Sequence, residues 1–182
     1  MTFIAFVVLL LGTGVMRLME VVVSVRRMRA RPEAVVSEPA LFPLMVLLHT
    51  ALVVAPLAEV ILLNRPFQPL VAAASVMLLI AATVLRVWTL RTIGIAWNVR
   101  IVEPKAETVV TSGPYAYIRH PNYVAVILEI AALPLFHSAW ISVIGLTLLN
   151  ALVLFFRIRT EEATLMAVPA WRAAMASRAR FV

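Results

Sequence analysis

The chain contains no cysteine, which excludes disulfides, thiolate metal sites and a cysteine nucleophile. Charge is scarce: only 14% of the 182 residues are Asp, Glu, Lys or Arg, against about 25% in ordinary soluble domains. Neither a Walker loop nor an H-E-x-x-H zinc signature occurs. The three histidines, His49, His120 and His137, are scattered without metal-ligand spacing. Gly12-Thr13-Gly14 forms a G-x-G, but Arg17 stands where a dinucleotide fingerprint needs its third small residue. The pair also lies inside an apolar run, where small residues serve helix–helix contact. What the chain has instead is apolar sequence, at 63% with a mean hydropathy of +1.00. A soluble fold of this size cannot hide so much apolar surface. A disordered chain, a basic nucleic-acid-binding domain and most soluble enzymes are thereby excluded. An integral membrane protein of one domain, residues 1–182, is left.

Apolar runs cover Thr2 to Val25, Leu41 to Leu63 and Pro69 to about Leu90, each near the ~20 residues that cross ~30 Å of hydrocarbon. The first carries no Lys or Arg in its opening fifteen residues and no A-x-A site, so it reads as a retained span rather than a cleaved leader. A polar stretch from Arg91 to Asn122, with Pro104 and Pro114, is longer than a mere connector, and such loops are usually functional. Apolar sequence resumes from Tyr123 to Phe156 and reads as a tight helical hairpin turning near Phe136 to Trp140. Its first arm, about Pro121 to Phe136, is only ~24 Å long. The tail from Thr160 to Val182 reads as an interfacial or docked helix, broken near Pro169. The expected fold is an all-α integral membrane protein. It has three spans in 1–90, then in 91–182 a polar loop, a two-span hairpin and a C-terminal interfacial helix.

The sixteen Lys and Arg exceed the nine Asp and Glu by seven, and their positions bear on orientation. Arg26, Arg27, Arg29, Arg31, Arg91, Arg100, Lys105, Arg119, Arg157, Arg159, Arg172, Arg178 and Arg180 fall on one side of a five-span bundle, and Arg65 alone falls on the other. The positive-inside rule then sets the N-terminus outside and the C-terminus in the cytoplasm. In a bacterium this is the inner membrane. The polar loop and the tail share the cytoplasmic side, where they can meet.

The stretch Val109 to Tyr123 packs aromatic rings, a cation and an imidazole against the start of a membrane helix. Gly113 permits close backbone approach, Pro114 fixes a turn, and Pro121 suits the first turn of a helix. A ligand cradle and an interfacial aromatic belt both fit these residues. The pattern Gly113-Pro114-Tyr115-x-Tyr117-x-Arg119-His120-Pro121-Asn122-Tyr123, with Arg157-Ile158-Arg159-Thr160-Glu161-Glu162-x-x-Leu165 after the hairpin, resembles the isoprenylcysteine carboxyl methyltransferase family. The likeness runs from about Leu90 to Leu165. Ile95 to Ile101 and Leu128 to Leu135 look most like the bacterial branch associated with type III polyketide synthases.

This resemblance implies an integral membrane enzyme that uses S-adenosylmethionine and no metal. The implied acceptor is lipophilic: an isoprenylcysteine-type carboxylate, or a hydroxyl of a long-chain alkylpyrone or alkylresorcinol. The implied cofactor contacts are Thr111, Gly113, Pro114, Tyr115, His120, Tyr123, Glu161 and Glu162. Aromatic faces suit a sulfonium, and a carboxylate can accept from ribose hydroxyls or pair with an ammonium. Arg119 reads either as a ligand for the methionine carboxylate or as a bridge to Glu161 or Glu162. Arg157 with Glu161 and Arg159 with Glu162 are also spaced as helix-surface pairs.

Three residues are candidates for the reaction itself. Arg100, with Asn98 beside it, can hold an anionic acceptor oxygen or face lipid phosphates. Glu129, an ionisable group within a span, can take a proton from a hydroxyl acceptor or pair with Arg86 or Arg17. Arg17 and Glu20 are spaced to neutralise each other, while Glu59 and His49 face the interior. Trp97, Trp140 and Trp171 read as interface anchors, with Trp97 also placed to wall an acceptor site. Two other readings stay open on the sequence: an NADPH-dependent membrane reductase of similar architecture, and a non-enzymatic lipid-binding module.

Overall fold

A computed structural model describes residues 1–30, 41–102 and 109–181. Arg31, Pro104 and Lys105 lie outside the described residues. The described fold is helical. Helix α1 spans Thr2–Arg29, α2 Leu41–Leu62, α3 Pro69–Ile93, α4 Pro121–Leu135, α5 Trp140–Met166 and α6 Pro169–Met175. Short 3-10 turns at Gly94–Ala96 and Gly113–Ala116 shape the polar loop. Proline opens α3, α4 and α6, where its missing N–H costs nothing. Arg26, Arg27 and Arg29 close α1, at the negative end of its dipole.

Among the described residues, four helices, α1, α2, α3 and α5, are long and apolar enough to cross a membrane. Their outward faces carry large apolar side chains such as Leu11, Leu47, Met77 and Leu148, which suits contact with lipid. Helix α4 has 15 residues, about 22 Å at 1.5 Å per residue. It turns into α5 through Phe136 to Ala139, as the hairpin reading requires. Ser138 there takes a positive φ of 56°. Glu59 of α2 caps α5 by accepting from the backbone N–H groups of Ile141 (3.1 Å) and Ser142 (2.7 Å). That cap supplies an acceptor for orphan donors at a buried helix start.

The shared core gathers Phe6, Leu10, Leu48, Leu52, Ile130, Leu133 and Val153 from α1, α2, α4 and α5, and Ala72 from α3. Helices α3 and α4 pack most extensively, with the Ser75 hydroxyl donating to the Ala132 carbonyl at 2.8 Å. Helix α1 buries only Phe6, Leu10 and Ser24, so polar links contribute much of its attachment.

Two expectations need correction. The residues from Thr160 to Met166 continue α5 and do not begin a separate tail helix. No breaker precedes Pro169, and Thr160-Glu161-Glu162-Ala163 sustains a helix once it is running. Trp97 and Trp171 are buried and so do not anchor an interface; of the three anchors expected, only Trp140 is exposed.

Candidate functional site

One end of the bundle carries a polar cradle. It is built by the loop from Thr111 to His120, the start of α4, the last turns of α5 and the extended tail. Gly113 has φ +57°, and a Cβ there would sit 2.5 Å from the Thr92 hydroxyl oxygen. Only glycine brings this loop so close to α3. The tail straps the loop in place. Ile118 and Ala179 form a parallel bridge, and Arg119 and His120 donate backbone N–H groups to the carbonyls of Ala179 and Arg180 at 2.9 and 3.2 Å. Arg178 donates to the Tyr115 carbonyl. Burial, and secondarily Glu161, push the Tyr115 phenol well above the ordinary tyrosine range, so it remains a neutral donor.

The two adjacent glutamates have different surroundings. Glu162 is buried and ringed by Arg180 at 2.6 Å, Arg119 at 2.9 Å and the His120 Nε2 at 3.2 Å. Its bond to Arg180 raises that guanidinium's pKa further. Glu161 accepts only the Tyr123 hydroxyl among the described residues, which leaves most of its lone pairs open. Arg119 bridges Glu162, yet its Nε is buried without a partner. The helix-surface pairs did not form: Arg157 donates to the Tyr123 hydroxyl at 2.6 Å and to the Val99 carbonyl, and Arg159 lies over the Phe155 ring.

Beside the cradle lies a cavity of about 250 Å³ reached by α1 to α5. Its wall includes Phe42, Met45, His49, Trp97, Asn98, Asn122, Tyr123, Asn150 and Arg157. Tyr123 belongs to both spaces. The wall also includes three members of a buried four-charge ring. Arg17 donates to Glu20 (2.5 Å) and to Glu129 (2.5 and 3.3 Å), and Arg86 donates to Glu20 (3.3 Å) and Glu129 (2.9 Å). The charges alternate and sum to zero. The ring joins α1, α3 and α4.

Sequence candidates thus fall into separate places. Tyr123, His120, Glu161 and Glu162 come together, with Gly113, Pro114 and Tyr115 held against them by the tail. Thr111 joins them through a 3.4 Å contact from Arg178 to its carbonyl. Asn98 lines the cavity and accepts from the Ser24 hydroxyl and the Arg100 N–H. Arg100 stacks on Phe42, 4.6 Å from the ring centroid, and lines a neighbouring pocket. Glu129 does not line the cavity; both arginines expected as its alternative partners bind it. Sequence reasoning missed Arg178, Arg180, His49 and Asn150 as parts of these sites. The alternation of Arg178 and Arg180, which an extended strap places on one face, was the only signal available.

Among the described residues, a helical bundle with long apolar faces and a polar cradle at one end fits an integral membrane all-α protein. Its relatives specify it further. Residues 75–167 match the isoprenylcysteine carboxyl methyltransferase (ICMT) family, and the chain belongs to that family of membrane methyltransferases. It is similar to the uncharacterized protein YpbQ of Bacillus subtilis (strain 168), 34% identical over 125 residues. That alignment covers 68% of this chain and 73% of the relative.

Proposed function

We propose that the protein is an S-adenosylmethionine-dependent O-methyltransferase acting on a lipophilic acceptor in the bacterial inner membrane. The reading rests above all on Tyr123, whose phenol belongs to the cradle's hydrogen-bond chain and to the cavity wall. A methyl donor held in one space and an acceptor held in the other would meet there.

The donor set suits the cofactor. The open lone pairs of Glu161 match ribose hydroxyls or an ammonium. The free edge of Arg119 matches a carboxylate, and the rings of Tyr115 and Tyr123 offer faces to a sulfonium. Glu162 is committed to Arg180, Arg119 and His120, so it positions the latter two. Thr111, Gly113 and Pro114 set the loop's close approach. When bound, S-adenosylmethionine supplies a methyl group already activated on a sulfonium. The remaining task of these residues is positioning, which can account for a large share of the rate.

The acceptor is an isoprenylcysteine-type carboxylate or a hydroxyl of an alkylpyrone- or alkylresorcinol-like lipid, entering the cavity from the bilayer. Asn98 on the cavity wall orients its head group, and Arg100, on the neighbouring pocket, backs the Phe42 ring that both spaces share. Glu129 acts by holding Arg17 and Arg86 on the cavity wall. The cradle faces the cytoplasm and the N-terminus lies outside. Supporting this, Arg26, Arg27, Arg29, Arg91, Arg100, Arg119, Arg178 and Arg180 gather at the cradle end, and Arg65 pairs with Glu59 at the other.

The test is calorimetric titration of the detergent-purified protein with S-adenosylhomocysteine. The wild type binds, and His120→Ala and Glu162→Ala lose binding while remaining folded. Undiminished binding in both variants would refute the pocket, and saturable NADPH binding instead would favour a reductase. Labelled S-adenosylmethionine with a host lipid extract then identifies the acceptor. Failure to bind either cofactor would leave a lipid-binding module.

A further inference from the structure

Most arginines of this chain have an acceptor within the fold. Arg17, Arg65, Arg86, Arg119 and Arg180 meet carboxylates. Arg27, Arg157, Arg172 and Arg178 donate to backbone carbonyls. Arg29 and Arg100 do neither among the described residues, and both line one pocket of about 300 Å³ at the cradle end of the bundle. The rest of its lining is Val21, Val25 and Met28 of α1, Phe42 of α2, and Ser24. The Ser24 hydroxyl is already spent, donating to Asn98 Oδ1 and accepting the Val99 N–H. No carboxylate stands among the described lining residues, so two guanidiniums face an apolar pocket without a counter-charge.

Arg100 is half-buried, with its guanidinium 4.6 Å from the centroid of the Phe42 ring. An aromatic contact of this kind engages the π-face and leaves N–H edges to donate. Those edges match the oxygens of a phosphate, which can accept two parallel hydrogen bonds. The surroundings of Arg29 say what carries that phosphate. Leu18, Val22, Val25 and Arg29 recur at the spacing of one helical face, and all of them are exposed. From Leu18 to Arg29 that face runs about 16 Å along the axis. A strip of apolar side chains ending at a guanidinium fits an acyl chain ending at an anionic head group. Free phosphate would make no use of the strip.

We propose that the pocket between α1, α2 and Arg100 is a site for the phosphate head group of an anionic phospholipid, with its chain along the Leu18–Val25 face. The site is separate from the cradle and does not rest on the methyltransferase reading. It does touch the larger cavity, because Phe42 lines both spaces and Asn98 on the cavity wall accepts the Arg100 backbone N–H at 3.1 Å. A head group that holds Arg100 therefore steadies two residues of that wall.

The experiment is native mass spectrometry of the full-length protein in a neutral detergent, titrated with dioleoylphosphatidylglycerol, dioleoylphosphatidylcholine, dioleoylglycerol or inorganic phosphate. The wild type retains one phosphatidylglycerol most tightly, phosphatidylcholine less and diacylglycerol least. Arg29→Gln and Arg100→Gln each weaken that first phosphatidylglycerol by roughly fivefold, the share of one arginine near a membrane surface. Arg91→Gln, which removes an exposed arginine outside the pocket, leaves it unchanged. The proposal is overturned if the two pocket variants behave like Arg91→Gln, which would reduce the effect to general charge attraction. Diacylglycerol held as tightly as phosphatidylglycerol overturns it too, as does displacement of the lipid by millimolar inorganic phosphate. Arg29 lies on the exposed end of α1, so its variant decides the matter even if Arg100→Gln fails to fold.

Discussion

Substituting Glu129 by glutamine removes one charge from the Arg17–Glu20–Arg86–Glu129 ring with almost no change in volume. Glu129 accepts three guanidinium hydrogen bonds, and its side chain is 7% exposed, Arg86's 4% and Arg17's 11%. After the change, two buried guanidiniums share Glu20 alone. Breaking a buried ion pair from one side costs about 3–5 kcal/mol. At about 2–4 °C per kcal/mol for a chain of this size, Tm falls by roughly 6–20 °C. Thermal unfolding in a fixed detergent measures this. The double variant Arg86→Leu/Glu129→Leu leaves the neutral Arg17–Glu20 pair, so it should unfold at a higher temperature than Glu129→Gln. A Glu129→Gln protein within about 2 °C of wild type would refute the account of α1 as a helix held by this ring. So would a double variant less stable than the single.

Gly113→Ala should lower both stability and affinity for S-adenosylhomocysteine, by about 1–3 kcal/mol for the left-handed backbone alone. Adding Thr92→Ala removes the 2.5 Å clash and should recover part of each, as read by calorimetry and thermal melts. Glu59→Ala removes the α5 cap and strands Arg65. It should cost at least about 1 kcal/mol yet leave cofactor binding unchanged, because the cradle lies about 30 Å further along α5; weakened binding would contradict that separation. The raised pKa of Tyr115 contributes stability present below the usual tyrosine value near ~10 and lost as pH rises through the folded value. Tyr115→Phe should therefore flatten the decline in Tm above about pH 10, and an unchanged decline would place the phenol in solvent.

Much of the fold was legible because a membrane span is a local property. Some twenty apolar residues in a row, roughly, declare one whatever the neighbours do, and α1, α2 and α3 begin where the apolar runs begin. The hairpin turn was equally legible, since Pro134, His137 and Ser138 interrupt the run. The cradle motif was legible as a string of residue types. Its division of labour was not, because Glu161 and Glu162 differ by one position and their surroundings come from elsewhere. The i,i+4 spacing of Arg157 and Glu161 argued for a local pair, yet Arg157 turned to Tyr123 and Val99 instead.

By itself, then, the sequence determined the class, the apolar helices and the loop with its distal glutamates, since each is written in contiguous residues. Tertiary structure decided which charges neutralise one another. Arg17 meets Glu129 across 112 positions, and Arg180 meets Glu162 through a tail laid along the loop. Such pairs depend on which helix faces are buried together. In a medium where an unpaired charge is costly, that packing also decided which polar groups were left to face the cavity.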